Sequence, residues 1–340
     1  MRWRKLLAPV LAVLVVLSGC GAQAAPAPDY APSDDMQLTI YTSHKEEVYL
    51  PIIREFEART GIWVRVVTGG TNELLEQIAR ESDAPAADVI FGGSIENLES
   101  YRDYFTPYTC AGADQIQSQY QSEDACWIPF SALPVVLIYN TKLVNASQVT
   151  CWADLLDPAF RGRIAYADPA VSGSSFTALV TQIHASGLEP GEAMARLVEA
   201  MQGRVQSSSG EALAAVADGS CLVGITLEET ALKYVAAGED IAIVYPADGT
   251  SCVPDGSALV KGAPHEENAK LFLDFSVSFD VQQMLPGSFY RRAVRRDVTA
   301  EGTLPPLDSI CLIEYDVEWA CQNRNGILSQ WARLQEEAAS

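Results

Sequence analysis

The segment YADPAVSGSSFTAL, residues 166–179, is the stretch from which the fold is best read. A short apolar strand runs through a proline turn into a serine- and glycine-rich cluster, and a helical pattern follows. The first turn of a helix carries N–H groups without backbone partners and the positive end of the helix dipole, so hydroxyl residues there can hold an anionic oxygen. Taken alone, the cluster is better explained by Ser172 or Ser174 capping the helix. The remainder of the chain decides between these two roles.

Three strand–loop–helix units precede this segment. The predicted strands cover residues 37–41, 63–67 and 87–91, and the predicted helices cover 46–58, 72–81 and 95–101. Successive units of this kind predict a parallel sheet, in which the carboxyl ends of the strands line a ligand crevice. Small polar residues follow each strand. The candidate ligand contacts among them are Thr42, Ser43, His44, Gly70, Thr71, Gly93 and Ser94.

A second series of units follows a long apolar segment. Residues 129–139 (PFSALPVVLIY) read as an extended strand that crosses from one lobe to another. A chain of about 300 residues after the N-terminal segment exceeds one ordinary core. We therefore predict an α/β fold of two lobes, each a mostly parallel sheet flanked by helices, hinged over a ligand cleft. The predicted boundaries are 37–135 and 256–340 for the first lobe, with a last helix at 325–337, and 136–255 for the second.

The N-terminus predicts export. Three basic residues within positions 2–5 precede an apolar run from Leu6 to Leu17, which is too short to span a membrane. The tetrapeptide LSGC that ends at Cys20 resembles the bacterial lipobox, which implies removal of a lipoprotein signal peptide, residues 1–19, and a lipid on Cys20. We therefore expect an extracytoplasmic protein that is lipid-anchored to the bacterial cell membrane. An ordinary secreted protein with a chance cysteine is the alternative.

Charge and composition narrow the function further. Residues 20–36 hold the lipidated cysteine and an Ala/Pro/Asp-rich segment, which predicts a disordered tether. The chain has 23 basic and 44 acidic residues, and loss of three basic residues with the signal peptide leaves a net charge of 20 − 44 = −24. Such acidity argues against nucleic acid as a partner. The negative net charge also repels an anionic ligand, so hydrogen-bond donors in the site itself must hold such a ligand.

The cysteines fit an exported protein. Of the eight, seven remain once Cys20 is lipidated, so at least one stays unpaired. Cys110 and Cys126 flank a polar loop and are the pair predicted to form a disulfide. The cysteine spacings do not match a zinc module, and only three histidines are present. We therefore predict neither a metal centre nor a resident cofactor.

Four groups of motifs identify the family that the chain resembles. They are IYTSHK at 40–45, ADP with SGSS at 167–175, GTS with PDG at 249–256, and GAP with ENA at 262–269. These motifs are similar to those of type II solute-binding proteins of ABC importers, in the branch that binds ferric ion and phosphorylated organic anions. The resemblance implies a two-lobed periplasmic-binding-protein-like fold with its ligand between the lobes. Within the motifs, Ser174, Ser175 and Thr250 become further candidate ligand contacts.

The resemblance leaves two ligand classes open. A small molecule bearing a phosphate or phosphonate is the first, because the hydroxyls and loop amides named above can converge on an anionic head. Ferric ion is the alternative, and His44 matches the position of a histidine ligand in ferric binders of the family. However, Glu228 and Glu229 stand where those binders have adjacent tyrosines, and residues 92–94 (GGS) stand where they have a glutamate. These mismatches favour the organic anion.

Two charged features need a role in this scheme. Glu229 can accept from the hydroxyls of a sugar phosphate or pair with an ammonium, or it can simply complement a helix dipole. The basic run RRAVRR, residues 291–296, can steer an anion, but pairing with local acids or a solvated face is favoured. In the second lobe, opposite the loops of the first, the serine cluster is now better explained by ligand contact. Ser174 and Ser175 are placed ahead of Ser172 for that role.

Other classes of function are less well supported. The chain has no Gly-x-Ser-x-Gly elbow, no His-Glu-x-x-His and no phosphate-loop lysine, so catalysis is not predicted. A surface interaction lipoprotein would not need small-residue loops at successive strand ends. We therefore predict a monomeric substrate-binding lipoprotein that captures a small organic anion and delivers it to the permease subunits of an ABC importer.

Overall fold

The computed structural model describes residues 32–299 and 304–339 of the chain. The predicted signal peptide, Cys20 and most of the predicted tether lie outside these ranges. Ser33–Ser340 form one compact unit. None of the helices in the described residues has the length and hydropathy of a membrane span.

Ten strands and ten α-helices make up the described residues. The strands are β1 (Gln37–Thr42), β2 (Trp63–Thr68), β3 (Val89–Ser94), β4 (Phe105–Thr106), β5 (Ile128–Asn140), β6 (Ile164–Ala165), β7 (Val223–Leu227), β8 (Ile241–Val244), β9 (Cys252–Val260) and β10 (Arg292–Ala293). The helices are α1 (Glu46–Thr60), α2 (Thr71–Arg80), α3 (Ile95–Ser100), α4 (Gly173–Ser186), α5 (Pro190–Met201), α6 (Ser209–Ala217), α7 (Glu228–Ala236), α8 (Glu266–Ser276), α9 (Phe279–Phe289) and α10 (Val317–Ala339).

The strands form a mixed sheet in the order β2-β1-β3-β9-β5-β7-β6. Its two ends are parallel, where β1 pairs with β2 and β3, and where β6 pairs with β7. Its middle is antiparallel, because β5 and β9 run against each other and against their outer neighbours. The βα units of the sequence therefore form the ends of the sheet, and the two crossing strands join them.

Strand β5 crosses between the two halves of the molecule, as its apolar sequence predicts. All 13 of its residues are buried. Up to Pro134 it pairs with β9, and from Val135 onward it pairs with β7. The change of partner lies next to the predicted lobe boundary, although the exact boundaries stay a prediction.

Separate hydrophobic clusters lie on either side of this crossing. One cluster packs β1 and α1 against α8 and α9, through residues such as Ile40, Phe56 and Phe272. Another packs α4 and α5 against the second half of β5, through residues such as Phe176 and Leu197. Two lobes, as predicted from the sequence, each require a hydrophobic core of this kind.

Several elements differ from the sequence-based expectation. Asp34–Met36, in the predicted tether, form a 3₁₀ turn, and Asn268 Nδ2 donates to the Asp35 carbonyl. The predicted loop at residues 92–94 is the end of β3, and Glu228 already begins α7. Helix α9 was not predicted from its sequence, which contains Pro286.

The C-terminal helix is a further correction. It begins at Val317, and Trp331, with 1% of its surface exposed, packs into the same cluster as Phe176 of α4. The predicted first lobe included this helix. The apolar face of α10 instead joins the core of the second half, because Ala320 and Ile327 lie on the same face as Trp331.

Candidate functional site

The ends of β1 and β3 meet in a network of short polar contacts. Thr42 Oγ1 donates to the Phe91 carbonyl at 2.7 Å and accepts from His44 N at 3.1 Å. Ser43 Oγ donates to the Gly92 carbonyl at 3.0 Å. The hydroxyl of Thr42 is therefore engaged with the backbone, and we remove this fully buried residue from the candidate ligand contacts.

His44 lies under the end of β3 and is buried. Its ring packs edge-on against Phe91, with 4.6 Å between ring centroids. A Cβ atom at Gly92, where φ is +87°, would lie 2.5 Å from His44 Nε2, so this position requires glycine. Burial, with the nearby Arg291 guanidinium, holds the pKa of His44 well below its usual range. His44 is therefore neutral at pH 7, and its Nε2 atom has no hydrogen-bond partner.

A buried charge network lies beside this histidine. Arg291 Nη1 donates to Asp255 Oδ2 at 2.6 Å, and Arg291 Nη2 donates to Glu229 Oε1 at 3.4 Å. The Ser131 amide and hydroxyl both donate to Asp255 Oδ1 at 2.8 Å. Burial raises the pKa of Glu229, but Arg291 and Lys233 lower it by more, so its pKa lies below the usual value. Glu229 is therefore a neutralised carboxylate.

Three arginines of the basic run after α9 are paired with acids, as favoured, whereas Arg296 is exposed and donates to the Ile116 carbonyl at 3.0 Å. Arg292 donates to Glu228 through Nε at 2.8 Å and through Nη2 at 2.7 Å, and both residues are buried. Arg295 forms the same kind of two-point contact with Asp297. Arg291 and Arg292 therefore bind the two glutamates that begin α7.

The serine cluster at the start of α4 contains a helix cap and a group of hydroxyls that contact one another. Ser172 is the N-cap, since its Oγ accepts from Ser175 N at 3.3 Å. Ser174 Oγ lies 3.0 Å from Ser172 Oγ and 3.3 Å from Ser209 Oγ. Ser175 is buried, and its carbonyl accepts from the Tyr166 hydroxyl. The capping role thus belongs to Ser172, while Ser174 stays a candidate for ligand contact.

Residues of β3 and α3 face this helix start. A Cβ atom at Gly173 would lie 3.1 Å from both Ser94 Oγ and Asn97 Nδ2. Both of those atoms are buried and have no hydrogen-bond partner, and Asn97 is only 2% exposed. A buried polar atom without a partner is uncommon in proteins and marks a place where a ligand or water completes the structure. Two such atoms converge here on the N-terminus of α4.

The other predicted ligand contacts, Gly70, Thr71 and Thr250, have different surroundings from one another. Gly70 is exposed, with open space around its Cα, and it begins α2. Thr71 approaches Gly93, because its Cγ2 atom lies 3.0 Å from where a Cβ would be. Thr250 is fully buried and donates to the Val135 carbonyl at 2.6 Å, so it holds the two crossing strands together. We therefore remove Thr250 as well from the ligand contacts.

The predicted disulfide is absent from the described residues. Cys110 and Cys126 are both buried free thiols, and they belong to different hydrophobic clusters. Cys126 Sγ instead donates to Glu99 Oε1 at 3.6 Å. In the described ranges, the group of side chains that could hold a metal ion is Glu99, Asp124 and Cys126. Arg102 pairs with both of these carboxylates, so their negative charge is already partly compensated.

Sequence reasoning missed Asn97, Asp255 and Arg291 as members of the site. Asn97 lies in the predicted helix 95–101 and not in a loop after a strand, where the candidate contacts were placed. Asp255 is part of the PDG motif, which is one of the motifs shared with the family. Arg291 is the first residue of the basic run. Both residues therefore lie in features that the sequence analysis noted. The ion pair between Asp255 and Arg291 could not be predicted from local patterns, because the two residues are 36 positions apart.

Comparisons with known proteins agree with this architecture. Residues 85–308 match the family model described as bacterial extracellular solute-binding protein. Iron uptake protein A1 of Synechocystis is 27% identical over 82% of this chain and 81% of its own length. A putative 2-aminoethylphosphonate-binding periplasmic protein of Salmonella typhimurium is 27% identical over 72% of this chain and 73% of its own length.

A solved structure supports the fold independently. The periplasmic binding protein AfuA of Actinobacillus pleuropneumoniae, determined with fructose-6-phosphate bound, superposes with a TM-score of 0.81. It is 23% identical, and the match covers 88% of this chain and 98% of that one. The two-lobed periplasmic-binding-protein fold predicted from the sequence is thereby confirmed. Since the family model spans more than half of the chain, the protein belongs to the bacterial extracellular solute-binding proteins.

Proposed function

We propose that the protein captures a small organic anion bearing a phosphate or phosphonate group and delivers it to an ABC importer. The observation that carries this proposal is the pair of buried atoms, Asn97 Nδ2 and Ser94 Oγ, that lack partners beside the start of α4. Both are able to donate, and the helix start adds backbone N–H groups and a positive dipole end. A multivalent anionic oxygen group satisfies all of these donors together.

The rest of the ligand faces a neutralised carboxylate region in this proposal. Glu229 and Asp255 are bridged by Arg291, and Lys233 Nζ lies 2.8 Å from Glu229 Oε2. Such a region carries both acceptors and donors, as hydroxyl groups or an ammonium group require. Sugar phosphates and aminoalkylphosphonates both have this combination of an anionic head and a hydrogen-bonding remainder.

Ferric ion is the weaker candidate. Glu228 and Glu229 occupy the helix start where ferric binders of the family carry tyrosines, and both are already paired with arginines. A guanidinium in the same network opposes a trivalent cation, because like charges repel strongly at low dielectric. His44 remains the one match to the ferric pattern. Of the proteins compared above, one is named for iron uptake, one for a phosphonate and one for a bound sugar phosphate.

Delivery and anchoring complete the proposal. The two lobes close on one ligand, and the closed monomer docks on the permease subunits of the importer. A lipid on Cys20 holds the protein at the outer face of the cell membrane, with residues 21–31 as part of the tether. We expect the ligand to be released unchanged, which distinguishes a binding protein from an enzyme.

A thermal-shift screen of the chain from residue 21 onward tests the ligand class. The ligands are fructose 6-phosphate, 2-aminoethylphosphonate, inorganic phosphate and ferric citrate, with fructose and ethanolamine as uncharged-head controls. A ligand at a hundred times its Kd adds about 2.7 kcal/mol, which corresponds to a rise in Tm on the order of 5 °C. We expect that rise with an organophosphate and not with its control. A coloured, iron-dependent shift without any response to organophosphates would reject the proposal in favour of ferric ion.

A further inference from the structure

Arg324 lies in α10, beyond residues 85–308 that match the family model. Its guanidinium carbon is 5.0 Å from the ring centroid of Phe176, which follows Gly173 by three residues in α4. Cys321, one turn earlier in α10, has its Sγ 3.6 Å from the Glu96 carbonyl of α3. Arg324 is therefore held where helices α3, α4 and α10 meet.

The guanidinium of Arg324 is incompletely paired. Its Nε and Nη2 atoms are buried and have no hydrogen-bond partner. Burial lowers the pKa of Arg324, with Glu96 acting in the opposite direction, but an arginine remains charged at neutral pH. Buried donors of a charged group without acceptors are unfavourable, so this arrangement calls for an acceptor.

Glu96 is a protein candidate for that acceptor, because its carboxylate acts to raise the pKa of Arg324. Its Oε1 atom accepts from the hydroxyls of Thr177 and Tyr315. Its Oε2 atom has no partner, and no ion pair within 4.0 Å joins it to Arg324 in the described ranges. The neighbouring residue, Asn97, is the one whose free Nδ2 faces the start of α4. Free donors therefore lie beside the first turns of α4 at two points, Asn97 at Gly173 and Arg324 at Phe176.

We propose that Arg324 provides the positive charge that binds the anionic group of the ligand at the start of α4. This inference rests on the proposed function. The other cations of the site are committed, since Arg291 binds Asp255, Arg292 binds Glu228, and Lys233 binds Glu229. In a mature chain whose net charge is near −24, a dianionic head needs a local cation. Arg324 contributes a planar fork of donors suited to phosphate oxygens.

Variants at position 324 test this role by isothermal titration calorimetry with fructose 6-phosphate, 2-aminoethylphosphonate and inorganic phosphate. The chain from residue 21 onward contains the whole compact unit, Ser33–Ser340. We expect Arg324→Gln to weaken binding by about 10- to 100-fold, as loss of a charge-assisted hydrogen bond predicts. Arg324→Lys should bind with intermediate affinity, because it keeps the charge and loses the fork. Arg333→Gln, on the exposed part of the same helix, is the matched control and should bind normally.

The pH dependence of binding separates a charge role from a structural role. A phosphate monoester gains its second negative charge near pH 6, so the affinity of the unmodified protein should rise between about pH 5 and 7.5. Arg324→Gln should lose part of that rise. A purely structural arginine would not affect it.

Three outcomes are distinguishable. Weaker binding with a flattened pH profile in Arg324→Gln supports the inference. If Arg324→Gln binds within twofold of the unmodified protein while its Tm falls, Arg324 serves Glu96 and the inference is overturned, although the proposed function stands. If the unmodified protein binds none of the three probes, the proposed function fails and this inference fails with it.

Discussion

Arg291 donates through Nη1 to Asp255 Oδ2 at 2.6 Å, and the same guanidinium also reaches Glu229. Asp255 belongs to β9, whereas Glu229 lies in the first turn of α7, so one buried side chain joins the return crossing strand to the second half of the molecule. The bond is enclosed, since Arg291 is 7% exposed and Asp255 6%. This link therefore contributes to stability as well as to the site.

Removal of Arg291 should destabilise the protein strongly. Arg291→Met leaves Asp255 buried without its arginine and Glu229 with Lys233 alone, and breaking a buried pair in this way costs about 3–5 kcal/mol. Urea unfolding followed by circular dichroism measures the change. Arg59→Met removes an exposed ion pair with Glu55 and should have little effect. Equal stability of the two variants would contradict the assignment of Arg291 to a buried network.

His44 should make the protein less stable in mild acid. Because its pKa is well below the usual value in the folded state, the unfolded chain binds the proton more readily. Stability should therefore fall as pH drops below about 6.5, with a slope of at most about 1.4 kcal/mol per pH unit. The depressed pKa of Glu229 acts in the same direction, but only below its unfolded value of 4.5. The range between pH 6.5 and 5 therefore isolates the histidines.

Unfolding of His44→Gln between pH 7 and 5 measures this contribution. We expect the slope of stability against pH to be smaller than in the unmodified protein. His184→Gln is the matched control, because burial also lowers the pKa of His184 but the residue is less enclosed. His265 has a raised pKa and loses its contribution only as pH rises above 6.5, so it does not obscure the result. An unchanged slope in His44→Gln would show that His44 binds a proton as readily in the folded protein as in the unfolded chain.

Variants of Ser172 and Ser174, at the start of α4, should distinguish a capping role from a ligand-binding role. Ser172→Ala removes the cap of α4 and should lower the free energy of unfolding by about 0.5–2 kcal/mol, with ligand affinity largely kept. Ser174→Ala leaves that cap in place and should weaken binding of an organophosphate without loss of stability. Chemical unfolding and calorimetry on both variants test the two effects. The opposite pattern would return the whole cluster to a capping role.

The sequence predicted those helices and strands that have a clear pattern of apolar residues. The apolar period of α1 places Val48, Ile52 and Phe56 on one buried face, and the long apolar run predicts β5. Helix α9 could not be predicted in this way, because Pro286 and Gly287 disfavour a helix. Its buried residues, such as Val281 and Leu285, stabilise it through tertiary packing, which sequence propensity does not contain.

The region of the candidate site was predicted from the composition of its loops, whereas the hydrogen-bond partners of its residues were not predicted. Loops rich in serine, threonine and glycine did indicate the region around Ser94 and Ser174, because strand ends in such folds converge. Thr42 and Thr250 looked equivalent in the sequence, yet their hydroxyls bind the Phe91 and Val135 carbonyls. Which hydroxyl is free depends on backbone groups far away in the chain, so no local pattern distinguishes these residues.

Asn97 offers the sharpest test of the site, because its two possible roles predict opposite changes in stability. Its buried Nδ2 atom has no partner, so Asn97→Leu removes an unfavourable group and keeps a similar volume. We expect the ligand-free protein to be as stable as before, or more stable by about 1 kcal/mol. Binding of an organophosphate should weaken by at least about tenfold, because a ligand donor is lost.

Asn140→Leu is the matched control for this prediction. Asn140 is also buried, but its Nδ2 donates to the Val216 carbonyl at 2.8 Å and its Oδ1 accepts from Lys142 N at 3.0 Å. Its replacement leaves those backbone groups unpaired and should destabilise the protein by about 1–3 kcal/mol, with ligand affinity unchanged. If Asn97→Leu instead loses stability as Asn140→Leu does, and binds normally, then Asn97 is a structural residue. A stability gain joined to an affinity loss is expected only where the free protein keeps an unpaired donor for its ligand.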